Sequence, residues 1–243
     1  MKEIKKLNDV FGHAIRDFYH GEEAIIETYS SIGGWDELPV DYLFRSYDKM
    51  PVLEQVALKM AKGAVLDIGC GAGSHSLYLQ KQGLDVTAID ISEGAIDICK
   101  KRGLRKTELI DIWNFSSKKY DTILSLMNGA GLCGSMKSVP SFLTHLKSLL
   151  EPDGQILVDS SDVIYMFEDE NGDADISEIE HYYGEVEFES KYLNQYSGRY
   201  PWLYIDFYNL QQQAFNLDMD CELIQNGPHY DFLAKITHSD KAL

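Results

Sequence analysis

Three glycines at alternate positions form the part of this sequence best suited to hold a ligand. They stand at positions 69, 71 and 73 of the run Val65-Leu-Asp-Ile-Gly-Cys-Gly-Ala-Gly-Ser-His, between a strand-like segment and a predicted helix. Glycine permits positive φ angles and a close approach of a ligand to the backbone, and the helix start offers unpaired N–H donors. A dinucleotide-binding loop would need its third glycine where Ser74 stands. Asp67 would repel a diphosphate, which favours a cationic or hydroxyl-bearing ligand.

Acidic residues end the next two predicted strands as well. Asp90 closes the strand that follows the glycine loop, and Asp111 closes the one after it. A carboxylate in the position of Asp90 can accept hydrogen bonds from both ribose hydroxyls, and each charge-assisted bond of this kind is worth about 1.5–3 kcal/mol. Together with Asp67 they predict a ligand site at the carboxyl edge of a sheet. Other interpretations stay open: Asp67 can cap the loop, Asp90 can be an exposed strand end, and Asp111 can belong to a turn.

Short apolar runs alternate with helical stretches from residue 64 onward, and this alternation predicts the elements that position the site. Strands and helices in such a rhythm form a parallel sheet with helices on both faces. The predicted fold class is therefore α/β, with a Rossmann-like, doubly wound, seven-stranded, mostly parallel sheet and an antiparallel closing strand. The predicted strands are residues 64–68, 86–89, 108–110, 121–127, 155–159, 221–225 and 231–237.

Segments outside this rhythm predict two accessory parts. The first 60 residues are interpreted as helical, including a short helix over residues 22–29 that ends at Gly33-Gly34. Residues 162–179 are acidic and rich in Gly and Asp, which indicates an exposed insertion, and a hairpin with strands at 185–192 and 201–207 follows. The predicted domain division is an N-terminal helical cap (1–50), a core (51–161 and 208–243), and an inserted lid that binds substrate (162–207).

The run Asp67-Ile-Gly-Cys-Gly-Ala-Gly, with Asp90 and Asp111 at these spacings, resembles the motifs of the class I S-adenosylmethionine-dependent methyltransferases, above all those acting on small molecules. The similarity covers residues 53–158 and, more loosely, the closing strands. It implies that the protein binds S-adenosyl-L-methionine and transfers its methyl group to a small-molecule acceptor by in-line displacement. The Asn/Asp-Pro-Pro-Tyr element of relatives that methylate adenine- or glutamine-type amino groups is replaced here by Ser125-Leu-Met-Asn-Gly-Ala.

The resemblance also implies which residues bind the cofactor. Asp67 would meet the ammonium of the methionine moiety, Asp90 the ribose hydroxyls, and Asp111 the adenine amino group. Arg45 can pair with the methionine carboxylate, or else be a surface helix residue. The other implied contacts lie along the methionine and ribose (Gly69, Gly71 and Ala72), on the adenine (Ile91 and Ile112) and under the sulfonium (Met127 and Asn128).

No pair of residues stands out as a catalytic dyad, so the sequence leaves the catalytic residues unidentified. A thiolate or a neutral amine needs no general base, whereas an alcohol or a phenol usually does, and the acceptor atom stays open. The weak candidates are His75, Asn128, His181 and His229. Each histidine can equally be an ordinary structural residue, and Asn128 can belong to a simple turn.

Composition limits the partners. The 243 residues include 22 Lys and Arg against 39 Asp and Glu, a formal net charge of −17. Such a charge argues against nucleic-acid partners and against anionic membrane surfaces, and no apolar run reaches the about 20 residues of a membrane span. Four separated cysteines favour reduced thiols in the cytoplasm, and no His and Cys cluster has metal-site spacing. We expect a cytoplasmic, metal-free protein, monomeric or homodimeric.

Two other functions stay open at this point. The first is a non-catalytic S-adenosylmethionine-binding or scaffold protein of the same fold, suggested by the missing base and the acidic insertion. The second is a nicotinamide-dependent oxidoreductase, against which both Ser74 and Asp67 argue.

Overall fold

The computed structural model describes residues 8–239. Residues 1–7 of the predicted N-terminal cap and residues 240–243 of the predicted core lie outside this range. Within it, every helix is too short or too polar to cross a lipid bilayer.

Six α-helices and twelve strands follow one another within residues 8–239. The helices are α1 (Val10–Tyr19), α2 (Val52–Met60), α3 (Ser74–Lys81), α4 (Glu93–Lys101), α5 (Val139–Ser148) and α6 (Phe207–Phe215). The strands are β1 (Ile25–Ser30), β2 (Gly34–Pro39), β3 (Ala64–Ile68), β4 (Asp85–Asp90), β5 (Thr107–Leu109), β6 (Tyr120–Ser125), β7 (Leu150–Ser161), β8 (Glu185–Tyr192), β9 (Gln195–Tyr196), β10 (Tyr200–Leu203), β11 (Met219–Asn226) and β12 (Asp231–His238). Short 3-10 turns occupy several of the connections.

A seven-stranded sheet forms the core, in the order β11-β12-β7-β6-β3-β4-β5. The pairs from β7 to β5 are parallel, and β12 runs antiparallel to both of its neighbours. This arrangement confirms the predicted fold class. The predicted strand positions are correct to within a few residues, apart from β7, which extends well before the predicted 155–159.

Apolar side chains on both faces of this sheet explain why it is buried. On one face Leu66 and Ile123 pack with Phe142 of α5 and Leu210 of α6. On the other face a second cluster joins strand residues to α2 and α3: Val65, Leu124, Leu157, Leu53, Ala57 and Leu79. Continuous apolar strands are typical of parallel sheets covered on both sides, and this packing holds the carboxyl ends of β3, β4, β6 and β7 at one edge.

A second, antiparallel sheet has the order β10-β8-β1-β2, with β9 paired to β8. We call these five strands the lid sheet. The helix predicted over residues 22–29 is wrong, because Ile25–Ser30 forms β1 and Gly34–Pro39 forms β2. Isoleucine, threonine and tyrosine in this segment favour a strand, and the glycines predicted to end a helix instead close a hairpin at the Ser30–Gly34 pair. The other neighbour of β1 is β8, more than 150 residues further along the chain.

The lid sheet packs on the core near the carboxyl edge of the central sheet. The ring of Trp202 on β10 covers Gly131, where an added Cβ would lie 2.0 Å from the ring. Ile205, just after β10, donates its N–H to the Ser160 hydroxyl at the end of β7. The lid sheet is assembled from two separate segments of the chain, residues 25–39 and residues 185–203. The domain boundaries stay a prediction.

Candidate cofactor and acceptor site

The glycine loop connects the end of β3 to α3. Its glycines at 69, 71 and 73 have φ angles of +70°, +51° and +84°, which L side chains rarely adopt. The N–H groups of Gly69 and Cys70 both donate to the Ile89 carbonyl on β4. A Cβ added at Gly69 or Gly71 would meet no atom within 4 Å, whereas one at Gly73 would lie 2.8 Å from Cys99 Sγ. The first two glycines therefore face open space, and the third packs against α4.

Asp90, at the end of β4, is joined to this loop. Its carboxylate accepts N–H bonds from Gly71 at 2.9 Å and from Ser92 at 2.8 Å. Burial raises the pKa of Asp90, although these hydrogen bonds act in the opposite direction. The next residue, Ile91, is 68% exposed. A carboxylate beside an open backbone cradle and a free apolar side chain suits a ligand with both hydroxyl and planar apolar parts.

Asp67 lies deeper than its neighbours on the loop, at 2% exposure. It accepts a hydrogen bond from the Ser76 hydroxyl at 2.6 Å, and burial raises its pKa. Asp67 thus fastens the start of α3 under the glycine loop. Ala72 is buried as well, and its carbonyl accepts a hydrogen bond from Arg102.

Asp111 closes the segment after β5 and begins a 3-10 turn. Its side chain accepts the Trp113 N–H at 3.0 Å, which is the turn role that the sequence left open. Ile112 is buried at 5% exposure. The structure thus places Asp111 and Ile112 beyond the same sheet edge as Asp90, one strand further out.

Met127 and Asn128 form a strained turn after β6. Both are non-glycine residues with positive φ, at 67° and 56°, a conformation that persists only where neighbouring groups hold it. Asp159 at the end of β7 supplies that support, because it accepts N–H bonds from Met127 at 3.1 Å and Gly129 at 2.8 Å. The Ser161 hydroxyl donates to Asn128 Oδ1 at 2.9 Å.

Asp159 is not among the predicted site residues, although the sequence contains a signal for it. The residue ends a predicted buried strand at the same edge as Asp67 and Asp90, but the resemblance assigned it no role. In the structure it is 8% exposed, and burial raises its pKa to about 6.

A buried charge network lies on the other side of the cavity. Glu54 of α2 contacts Arg45 Nη2 through Oε1 and His75 Nε2 through Oε2, the latter at 2.6 Å. Burial opposes the ionisation of both Glu54 and His75, but their mutual hydrogen bond and the surrounding charges outweigh it. The pKa of Glu54 is lowered and that of His75 is raised, which describes an ion pair. Arg45 Nε is buried and has no hydrogen-bond partner in the described part of the chain.

This network bears on two of the predicted site residues. Arg45 is not a surface residue, because its side chain is 5% exposed. His75 directs Nε2 to Glu54, so it is already engaged by a carboxylate. Glu54 itself was missed, although an acidic residue beside Leu53 on the apolar side of a predicted helix is a signal of a buried pair.

The remaining two candidate histidines, His181 and His229, lie in different surroundings. His229, in the turn between β11 and β12, lines the cavity described below. His181 is exposed in the segment before β8 and is not part of that lining.

A cavity of about 440 Å³ opens where the strained turn, the charge network and the lid sheet meet. Its floor contains Met127, Asn128 and Asp159, and the β1–β2 turn contributes Ser30 and Ile32. The size is within the range of small-molecule sites. The other lining residues are Tyr42, Pro51, Leu53, Glu54, Ser161, Val163, Tyr165, Met166, Tyr204, His229 and Asp231.

We expect Asp159→Asn to flatten part of the pH dependence of stability. The pKa of Asp159 is about 6 in the folded protein against an ordinary value of 3.8. The folded state therefore holds this proton more tightly, and its stability falls by about 1.4 kcal/mol per unit as pH rises from about 4 to 6. Urea denaturation at pH 5 and pH 7.5 should show that the free energy of unfolding falls more between these pH values in the wild type than in the variant. Equal losses in both proteins would contradict the assignment.

Comparisons with known proteins agree with this geometry. The model of a family described as "Methyltransferase domain" matches residues 43–217. An S-adenosylmethionine-dependent methyltransferase from Bacteroides fragilis, solved in complex with S-adenosyl-L-homocysteine, is 42% identical to this chain. The two structures superpose with a TM-score of 0.89 over 97% of each chain. The protein thus belongs to the class I S-adenosylmethionine-dependent methyltransferases, and S-adenosyl-L-methionine is its cofactor.

More distant relatives differ in what they methylate. A glycine/sarcosine N-methyltransferase from Halorhodospira halochloris is 27% identical over 60% of this chain and 56% of its own length. A ubiquinone biosynthesis O-methyltransferase from Rickettsia conorii is 24% identical over 64% of this chain and 55% of its own length. The matched segment spans little more than half the length of these curated relatives. The acceptors that they methylate are therefore not assigned to this protein.

Proposed function

We propose that this protein transfers the methyl group of S-adenosyl-L-methionine to a small-molecule acceptor bound in the 440 Å³ cavity. The observation that carries the proposal is the adjacency of two features at one sheet edge. The glycine loop with Asp90 offers a cradle for the cofactor, and the Met127–Asn128 turn, which follows the neighbouring strand β6, lines the cavity. When bound, S-adenosyl-L-methionine supplies an electrophilic methyl group on a sulfonium.

The residues present fit this cofactor. Gly69 and Gly71 leave free space along their backbone, and Asp90 has oxygen lone pairs beyond those that accept the two N–H bonds. Arg45 Nε is a buried donor without a partner among the described residues, which suits the anionic end of an amino-acid moiety. Asp67 lies beneath the loop, where its charge favours a nearby ammonium. These roles, with those of Ala72, Ile91, Asp111 and Ile112, are proposals.

The chain's contribution to the reaction is positioning and exclusion of water. The acceptor atom must sit about 3 Å from the methyl carbon and in line with the bond that breaks. The strained turn at Met127 and Asn128, held by Asp159, defines one wall of that position. Ser30 at the end of β1 and Ile32 in the β1–β2 turn border the cavity on the side of the lid sheet, which limits competing contact with water. Asn128, Asp159 and His229 are among the polar residues of the lining, and each can orient an acceptor proton.

Substitution of Gly71 by alanine should weaken cofactor binding more than it weakens the fold. An alanine at the positive φ angle of Gly71 is strained by about 1–2 kcal/mol. Its methyl group would also enter the open space along the glycine loop. We expect the affinity for S-adenosyl-L-homocysteine to fall about tenfold or more, measured by isothermal titration calorimetry.

Gly83→Ala is the matched control for this substitution. Gly83 also has a positive φ, 92°, and open space around an added Cβ, but it follows α3 at the far end from the glycine loop. Both variants should lose similar stability, and only Gly71→Ala should lose affinity. Equal affinities in the two variants would remove Gly71 from the binding site.

Calorimetric titration with S-adenosyl-L-methionine, S-adenosyl-L-homocysteine and NADH tests the cofactor binding on which the proposal depends. Binding of both adenosyl ligands and not of NADH is expected, followed by release of S-adenosyl-L-homocysteine with an acceptor. No observation favours the non-catalytic alternative. The cytoplasmic location, the monomeric or homodimeric state and the choice of catalytic residue stay predictions.

A further inference from the structure

The acceptor cavity has an unbalanced charge. Its lining, among the described residues, contains carboxylates from Glu54, Asp159 and Asp231 but no lysine or arginine. Glu54 is neutralised from behind by Arg45 and His75. Asp231, at the start of β12, accepts the backbone N–H of His229 and is partly exposed to solvent. Among these carboxylates, the one that is both buried and without a basic partner is that of Asp159.

Asp159 is buried without a cation. Its two oxygens accept backbone N–H groups from Met127 and Gly129, and no basic side chain lies within ion-pair distance of it among residues 8–239. Buried charges in proteins are normally paired, because an unpaired one is costly. Burial raises the pKa of Asp159 to about 6, although the backbone hydrogen bonds lower it. A ligand that brings a positive charge into the cavity would supply the missing partner.

Aromatic walls favour the same kind of ligand. Tyr165 and Tyr204 line the cavity beside Asp159, and the Tyr165 ring is held by stacking on Tyr230 at a centroid distance of 4.9 Å. Aromatic faces attract ammonium groups. An anionic acceptor would face the carboxylates with no fixed cation to receive it.

We propose that the acceptor is a small primary or secondary amine, held against the Asp159 carboxylate with Tyr165 and Tyr204 beside it. This inference rests on the proposed methyl transfer. The bound ammonium gives one proton to Asp159, and the freed nitrogen lone pair forms the bond to the methyl carbon. The carbon–sulfur bond breaks with its electron pair left on sulfur. The products are the methylated ammonium and S-adenosyl-L-homocysteine.

Three probes of one shape test this proposal: benzylammonium, benzyl alcohol and benzoate. Ligand-observed NMR gives the dissociation constant of each for the wild-type protein, with and without S-adenosyl-L-homocysteine. We expect benzylammonium to bind about tenfold or more tightly than benzoate, with benzyl alcohol between them. Equal or tighter binding of benzoate, or no binding of benzylammonium, overturns the amine assignment. Absence of S-adenosyl-L-homocysteine binding would instead count against the methyltransferase function, so the two failures are distinguishable.

Two variants locate the charge that selects the probe. Asp159→Asn should reduce the preference for benzylammonium over benzyl alcohol to near unity. Asp220→Asn removes the same charge from an exposed position on β11 and should leave the preference unchanged. A wild-type preference in Asp159→Asn would show that another group selects the cation. The wild-type comparison needs no substitution, so the proposal stays testable if Asp159→Asn folds poorly.

Discussion

Replacing Asp90 with alanine should lower the affinity for S-adenosyl-L-homocysteine by about 100-fold or more. Asp90 contributes twice: its oxygens accept N–H bonds from Gly71 and Ser92, which hold the glycine loop, and we propose that they also accept the ribose hydroxyls. Two charge-assisted hydrogen bonds to the ligand are together worth about 3–6 kcal/mol, and a factor of ten in affinity corresponds to about 1.4 kcal/mol. Isothermal titration calorimetry measures the loss directly.

Asp85→Ala offers a control on the same strand. Asp85 begins β4, at the end away from the glycine loop, and its exposed side chain pairs with Lys106 and Lys118. Exposed ion pairs contribute little to stability, so this variant should bind the ligand like the wild type. Unchanged affinity in Asp90→Ala would contradict both the assigned role of Asp90 and the placement of the ribose.

Glu54→Ala should destabilise the folded protein by about 3–5 kcal/mol. The substitution leaves the Arg45 guanidinium and the His75 imidazole in a buried position without their shared carboxylate. An uncompensated buried charge costs far more than the net contribution of an intact pair. Urea denaturation at pH 7, followed by circular dichroism, gives the free energy of unfolding.

A surface pair provides the comparison for Glu54→Ala. Glu222 pairs with Lys235 across β11 and β12, and its side chain is 61% exposed. Glu222→Ala should cost less than about 1 kcal/mol. If the two variants lose equal stability, the Arg45–Glu54–His75 network does not carry the buried charge assigned to it.

The central sheet was predictable because its signals are local. The strands β3, β6 and β7 each contain a short apolar run, and the glycine loop marks the passage from β3 to α3. Parallel strands that are buried on both faces are continuous apolar runs in the sequence, whichever strands they pair with. The positions of Asp67 and Asp90 at the sheet edge could be predicted for the same reason, since a strand end and a loop can both be located from the sequence.

The lid sheet and the charge network were not predictable in this way. The residues of β1 favour a strand, but its partner β8 is remote in sequence, so the second sheet could not be assembled from local signals. Glu54 meets Arg45 and His75 only through tertiary packing. Asp159 was visible as a strand end, but its support of the Met127–Asn128 turn depends on the register between β6 and β7.

The composite origin of the lid sheet affects how acceptor preference can be exchanged between relatives. The strands β1 and β2 lie before residue 43, outside the segment that the family model matches, whereas β8 and β10 lie within it. A chimaera that receives only a foreign 162–207 segment would place a new β8 against the old β1 and disturb the four residue pairs that join these two strands. An exchange of the whole lid sheet therefore has to move two separate blocks of the gene together.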